Sequence, residues 1–167
     1  MKLDDVDPEV FAILVNWIYY RVVTNAEKKT PDLVTCAKLW ILGDRFLMRK
    51  MQNDAMSQIW DVLSSARGSW GGFTELNEFG EFCRIAAETK SEDNPLLKIA
   101  INMLSSSKKI FDTWVDEIPN SILVPVSKNL MLCRENLVWE ADVLPLGAVW
   151  VEEGEYLVKE LTEMEVA

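Results

Sequence analysis

The residues able to do chemistry are few, and their spacing argues against most of it. The chain contains no histidine. That removes at once the commonest metal ligand, the usual general base and the usual pH switch. The three cysteines, Cys36, Cys83 and Cys133, lie far apart, each inside an apolar helical pattern and without C-x-x-C spacing. Such residues read as small buried hydrophobes. A nucleophilic role would need an electropositive, partly exposed setting, with Lys or a carboxylate as the base. Acid pairs occur at Asp4-Asp5, Glu75 with Glu78, Glu92-Asp93 and Glu152-Glu153. Paired carboxylates do acid–base work only in a pocket that separates their pKa values. All four pairs lie in polar, loop-like or terminal stretches and read as solvated. Gly68-x-x-Gly71-Gly72 lacks the Gly-Lys-Ser/Thr that completes a phosphate loop. The sequence therefore assigns no catalytic, cofactor-binding or metal-binding residue and implies no cofactor. A small enzyme using Cys or carboxylates is the alternative to a non-enzymatic protein.

Composition narrows the class. The 167 residues include seven Trp and six Phe, and 49% are hydrophobic, enough for one domain or one and a half with a real core. The net charge of −10 disfavours nucleic acid and anionic membrane surfaces, because binding phosphate needs clustered Lys and Arg. No uninterrupted apolar run approaches the ~18 residues of a membrane span, and Met1–Asp5 does not resemble a signal peptide. The expectation is a soluble intracellular protein of the cytoplasm or nucleus, with no membrane partner.

The elements follow from capping signals and apolar periodicity. Asp7-Pro8-Glu9 combines a capping acid, a proline at the first helical position and an acid facing the helix dipole. After it, Phe11, Leu14, Val15, Ile18 and Val22 recur at the spacing of one buried helical face, widened by Ile13, Trp17, Tyr19 and Tyr20. A helix this apolar must be covered on most sides. Thr30-Pro31-Asp32 opens a second helix, capped by Thr30, with Leu33, Cys36, Ala37 and Trp40 in one stripe. Gly43-Asp44-Arg45 marks its end or a bend. A third helix, Met48–Leu63, turns Met51, Ala55, Ile59, Val62 and Leu63 inward and Arg49, Lys50, Gln52, Asn53 and Asp54 outward. Residues 65–75, rich in Gly and Ser, read as a linker.

Residues 76–136 read as a helical extension. Leu76, Phe79, Phe82, Cys83 and Ala86 mark one helix, and Asn94-Pro95 opens the next with Leu97, Ala100, Ile101 and Leu104 inward. Phe111, Trp114, Val115 and Ile118 mark a short helix before Pro119. Ile122, Leu123, Val126, Leu130 and Cys133 mark the last, with Pro125 near its start or kinking it. Residues 137–167 form an acidic segment, eight acids against Lys159 alone. Its residues 148–158 fit either a small hairpin or a helix. The fold class is all-α, or nearly so, with any strand confined to residues 1–4 and 148–158.

The first helix also carries a family resemblance. Asp5-x-x-Pro8-Glu9-x-Phe11 and Leu14-x-x-Trp17-Ile18-Tyr19 resemble the helix start and ending that recur in BTB/POZ domains. The stretch Asp32–Leu63 is similar to the next two helices of that domain, and the cadence is closest to BTB/POZ proteins of filamentous fungi. Tyr20-Arg21 stand where the family usually has Thr-Gly. The resemblance implies that residues 1–64 are the helical C-terminal half of a BTB/POZ fold, whose strand-rich half would precede Met1. It implies a non-enzymatic protein–protein interaction module, adaptor-like or self-associating. In the family the end of this helix lies near the surface that meets cullin-type ubiquitin ligases, and Ile18-Tyr19 match that turn. Tyr and Arg commonly anchor interfaces. The expected contact patch is Ile13, Trp17, Tyr19, Tyr20 and Arg21. Ile13, Trp17 and Tyr20 form the side left without its usual sheet, to be covered by the C-terminal segment or a second copy. A fragment retaining half a domain, with no independent function, is the remaining reading.

Overall fold

A computed structural model of the chain describes residues 6–25, 27–68, 78–90, 94–106 and 108–136, and every regular element among them is an α-helix. They form two compact units that divide between Ser64 and Ser65. The strand positions expected at 1–4 and 148–158, and the acidic segment 137–167, lie outside the described residues.

The first unit contains α1 (Pro8–Tyr20), α2 (Leu33–Arg45) and most of α3 (Arg49–Gly68). Asp7 caps α1 by accepting a 3.0 Å hydrogen bond from the Glu9 N–H, with Pro8 in the first turn. Asp7 also accepts from Lys38 Nζ at 3.1 Å, linking the start of α1 to α2. The Lys38 hydrogen bond, and then that of the Glu9 N–H, hold its carboxyl below the ordinary carboxylate value. α1 stops at Arg21, whose backbone is left-handed (φ 56°) and whose N–H donates to the Trp17 carbonyl at 2.8 Å.

The cap of α2 is Asp32, not Thr30: Oδ1 accepts from the Thr35 N–H at 2.7 Å and Oδ2 from its hydroxyl at 3.0 Å. Pro31 thus precedes the cap. The acid reaches the third N–H of the helix, and Thr30 stands too far back to do so. Between α2 and α3 the backbone turns at Leu47 (φ 56°), while the Met48 N–H donates to the Gly43 carbonyl at 2.8 Å. A Cβ on Gly43 would lie 2.8 Å from the Met51 methyl and the Gln52 Cγ, so α2 and α3 approach closely there.

Three sequence expectations are corrected in this unit. The buried face of α1 is Val10, Ile13, Leu14 and Trp17, whereas Phe11, Val15 and Ile18 face out. Both sets have helical spacing, and periodicity does not choose between two apolar faces of one helix. Gln52, expected outside, is 3% exposed and donates its amide to Asp44 Oδ1 at 3.3 Å. Residues 65–68, expected in a linker, complete α3. Of the other stripe residues, Leu33, Cys36, Ala37, Trp40, Met51, Ala55, Ile59 and Leu63 are fully or almost fully buried, whereas Val62, expected inward, is only half-buried.

The second unit contains α4 (Phe79–Glu88), α5 (Pro95–Ser105), α6 (Lys108–Trp114) and α7 (Asn120–Asn136). α5 is central and packs on the other three. Its cap, Asn94, accepts from the Leu97 N–H at 3.1 Å while its amide donates to the Ala86 carbonyl (2.7 Å) and the Thr89 carbonyl (3.2 Å). One buried side chain thereby closes α4 and opens α5. The inner face of α5 is Leu96, Ile99, Ala100, Met103 and Leu104, with Leu97 and Ile101 only half-buried, a rotation of about one residue from the sequence expectation. Phe79 stacks on Phe82 and meets Trp114 edge-on, with centroids 6.0 Å apart in both pairs. Pro125 lies in the second turn of α7, where it deprives the Ser121 carbonyl of its helical donor.

Candidate functional site

The five residues of the expected contact patch divide sharply. Ile13 and Trp17 are each 2% exposed and belong to the core, so the patch loses both. Trp17 is fixed from two sides. Its Nε1–H donates to Asp54 Oδ2 of α3 at 2.7 Å, and the Arg21 guanidinium sits 4.4 Å from the indole centroid. The left-handed backbone at Arg21 folds the chain back at the end of α1, and its side chain lies over the indole of the preceding turn. Tyr19 and Tyr20 are 77% and 73% exposed, with ring centroids 6.5 Å apart. Their hydroxyls find water while their rings remain available, the usual property of an aromatic at an interface.

The structure adds residues that periodicity had assigned to the core. Phe11, Val15, Ile18 and Tyr19 are exposed in a stripe along the outer side of α1, while Val22, also exposed, follows the left-handed Arg21 past the helix end and lines the groove with Tyr20. The helix itself carries one charged residue, Glu9. The sequence did contain a signal for this: a helix apolar all round has more apolar surface than two covering helices can take.

Beside the stripe lies an open groove of about 810 Å³ between α1 and the segment that returns from it. Asn16 spans its floor, donating to the Thr24 hydroxyl at 3.1 Å and the Thr24 carbonyl at 3.4 Å. Asn25 closes the returning loop by accepting from the Glu27 and Lys29 N–H groups, both at 3.0 Å, with Lys28 left-handed (φ 59°). Ala12 and Tyr20 give the groove apolar walls, and Glu9 and Lys28 put opposite charges on its lining. A smaller pocket of about 310 Å³ lies between α1 and α2, lined by Val10, Lys38, Ile41 and Arg45 among others.

Neither described cysteine suits nucleophilic work. Cys36 and Cys83 are buried, and the Cys36 thiol donates to the Pro31 carbonyl, 3.7 Å away. Burial pushes the Cys83 thiol up to about 12, so it stays protonated at neutral pH. The Cys133 side chain, Asp4-Asp5, Glu75, Glu92-Asp93, Glu152-Glu153 and Gly71-Gly72 lie outside the described residues. Gly68 closes α3, and Glu78 is an exposed residue before α4. Among the described residues, no group of three or more Cys, Asp or Glu is placed to hold a metal ion. No helix among them is long and apolar enough to cross a membrane.

No protein family, no curated protein and no solved structure matches this chain.

Proposed function

We propose that the chain is a non-enzymatic protein–protein interaction module of BTB/POZ type, whose contact surface is the outer face of α1. The observation that carries this reading is the exposed outer face of α1, Phe11, Val15, Ile18 and Tyr19. The largest apolar patch on a typical monomer covers about 300–600 Å² and is often functional. The motifs around Pro8–Tyr19 and Asp32–Leu63 support the family, and Ile18 and Tyr19, which match the turn lying near the family's cullin-facing surface, are both exposed. The buried, protonated Cys83 supports a binding role over a thiol enzyme.

Urea unfolding of paired variants tests the reading. Val15→Ser and Ile18→Ser on the outer face should each stay within about 0.5 kcal/mol of the parent, as exposed substitutions do. Ile13→Ala on the inner face should cost about 2–5 kcal/mol, as truncations in a core do. Equal losses on both faces would mean that the stripe belongs to the protein's own core, and the proposal would fail.

A further inference from the structure

We infer that the groove along α1 binds a free α-amino acid with a large apolar side chain. This site uses none of the outer-face residues Phe11, Val15, Ile18 and Tyr19, so it stands apart from the interaction surface. The hydrogen bond from Asn16 to Thr24 divides the groove. Glu9 and Ala12 precede Asn16 on the same helical face, and Tyr20 follows it by one turn. The segment after α1 runs back the other way. Val22 therefore falls at the Tyr20 end, and Lys28, in the turn closed by Asn25, falls at the Glu9 end.

The charges at that end select the ligand. Among the described residues, the Glu9 carboxylate and the Lys28 ammonium form no ion pair, with each other or with a third side chain, whereas neighbouring Lys29 and Glu27 pair at 2.7 Å. Two opposite charges left open on one concave lining match a molecule that carries both signs close together. Its ammonium donates to Glu9 and its carboxylate accepts from Lys28. An anion alone would be repelled by a protein of net charge −10, whereas a zwitterion is neutral and meets no such barrier. The rest of the lining suits an apolar body. Ala12 presents only a methyl group and so leaves room beside the helix, while Tyr20 and Val22, 73% and 49% exposed, offer apolar surface further along. A volume of about 810 Å³ falls within the range of small-molecule sites. Because the groove is open, each ion pair stays partly in water and is worth about three- to five-fold in affinity.

The test titrates the nitrogen-15-labelled full chain with L-phenylalanine and follows the amide shifts by NMR. Saturable shifts should appear at Ala12, Tyr20 and Val22, with a dissociation constant on the order of a millimolar. N-acetyl-L-phenylalanine lacks the ammonium and L-phenylalaninamide lacks the carboxylate, and each should bind about three- to five-fold more weakly. Glycine, without an apolar body, should bind more weakly than phenylalanine. Glu9→Gln should bind phenylalanine and its N-acetyl form equally, and Lys28→Gln should bind phenylalanine and its amide equally, each variant keeping the other preference. Lys29→Gln, whose charge lies outside the groove lining, should behave as the parent. A parent without saturable shifts at the groove overturns the inference, as does glycine binding as well as phenylalanine. Analogue preferences that survive in both variants overturn it too. Tighter binding of phenylalanylphenylalanine than of phenylalanine would give the groove to a peptide and also overturn it. Where a variant fails to fold by far-UV circular dichroism, the analogue series on the parent still decides, because a groove that discriminates against neither analogue does not use the two charges.

Discussion

Trp17 and Asp54, thirty-seven residues apart in sequence, are joined by a 2.7 Å hydrogen bond from the indole Nε1 to a carboxylate oxygen. The bond decides which way α1 faces. A helix apolar all round has several orientations of similar burial, but a tryptophan turned inward needs an acceptor for its N–H. Asp54 supplies one from α3, and Arg21 covers the same indole from the helix end. This polar contact selects one packing among several that area alone would not separate.

Asp54→Ala should therefore cost about 1–3 kcal/mol, since it leaves a buried donor without an acceptor. Trp17→Phe removes the donor, and in that background Asp54→Ala should cost about 1 kcal/mol less than in the parent. Urea titrations of the four proteins in the cycle measure the coupling. Strict additivity would mean that the bond contributes nothing to the orientation of α1.

Asn94 offers a sharper contrast. Asp and Asn are about equally good helix caps. Here, however, the amide of Asn94 also donates to the Ala86 and Thr89 carbonyls at the end of α4. Asn94→Asp keeps the acceptor for Leu97 but points a carboxylate oxygen at two carbonyls. It should cost about 2–4 kcal/mol by thermal unfolding, more than the ~1 kcal/mol that losing a cap alone accounts for. A neutral outcome would mean that α4 does not depend on this side chain.

The buried thiol of Cys83 predicts an alkaline weakness. Its folded value is about 12 against an ordinary 9.0. Between those values the unfolded chain sheds its proton and the folded chain does not. Raising the pH through this window therefore favours unfolding, by up to about 1.4 kcal/mol per pH unit. Below pH 9 the group contributes no slope. Comparing the parent with Cys83→Ala isolates the effect from other groups that titrate there: the variant should lose stability less steeply above pH 9. Parallel curves would show that Cys83 ionises in the folded state.

The helices, and the starts of α1 and α5, were legible in the sequence because each signal is local. Asp7-Pro8 and Asn94-Pro95 mark true starts, and the stripes of α2 and α4 are buried as spaced. What was not legible depended on residues distant in the chain. Phe11 and Val15 have the same spacing as Val10 and Leu14, and only Asp54 and the packing of α2 separate the two sets. Gln52 looked like a surface residue, yet the close approach at Gly43 and the bond to Asp44 bring it inside. Ser65–Gly68 looked like a linker because Gly and Ser cluster there, whereas α3 runs on through them. Of the residues expected in a contact patch, Tyr19, Tyr20 and Arg21 are exposed, whereas Ile13 and Trp17 are buried.

The central place of α5 in the second unit also bears on how fast that unit forms. Its partners are the helix before it and the two after it, so each docking event closes only a short stretch of chain. Short closures lose little chain entropy before contacts repay it, and helical units of such low contact order fold in roughly microseconds to milliseconds. The helix that α4, α6 and α7 all touch is also the natural nucleus. Ile99→Val on its buried face should then slow folding more than it speeds unfolding, with the reverse for Val126→Ala on α7.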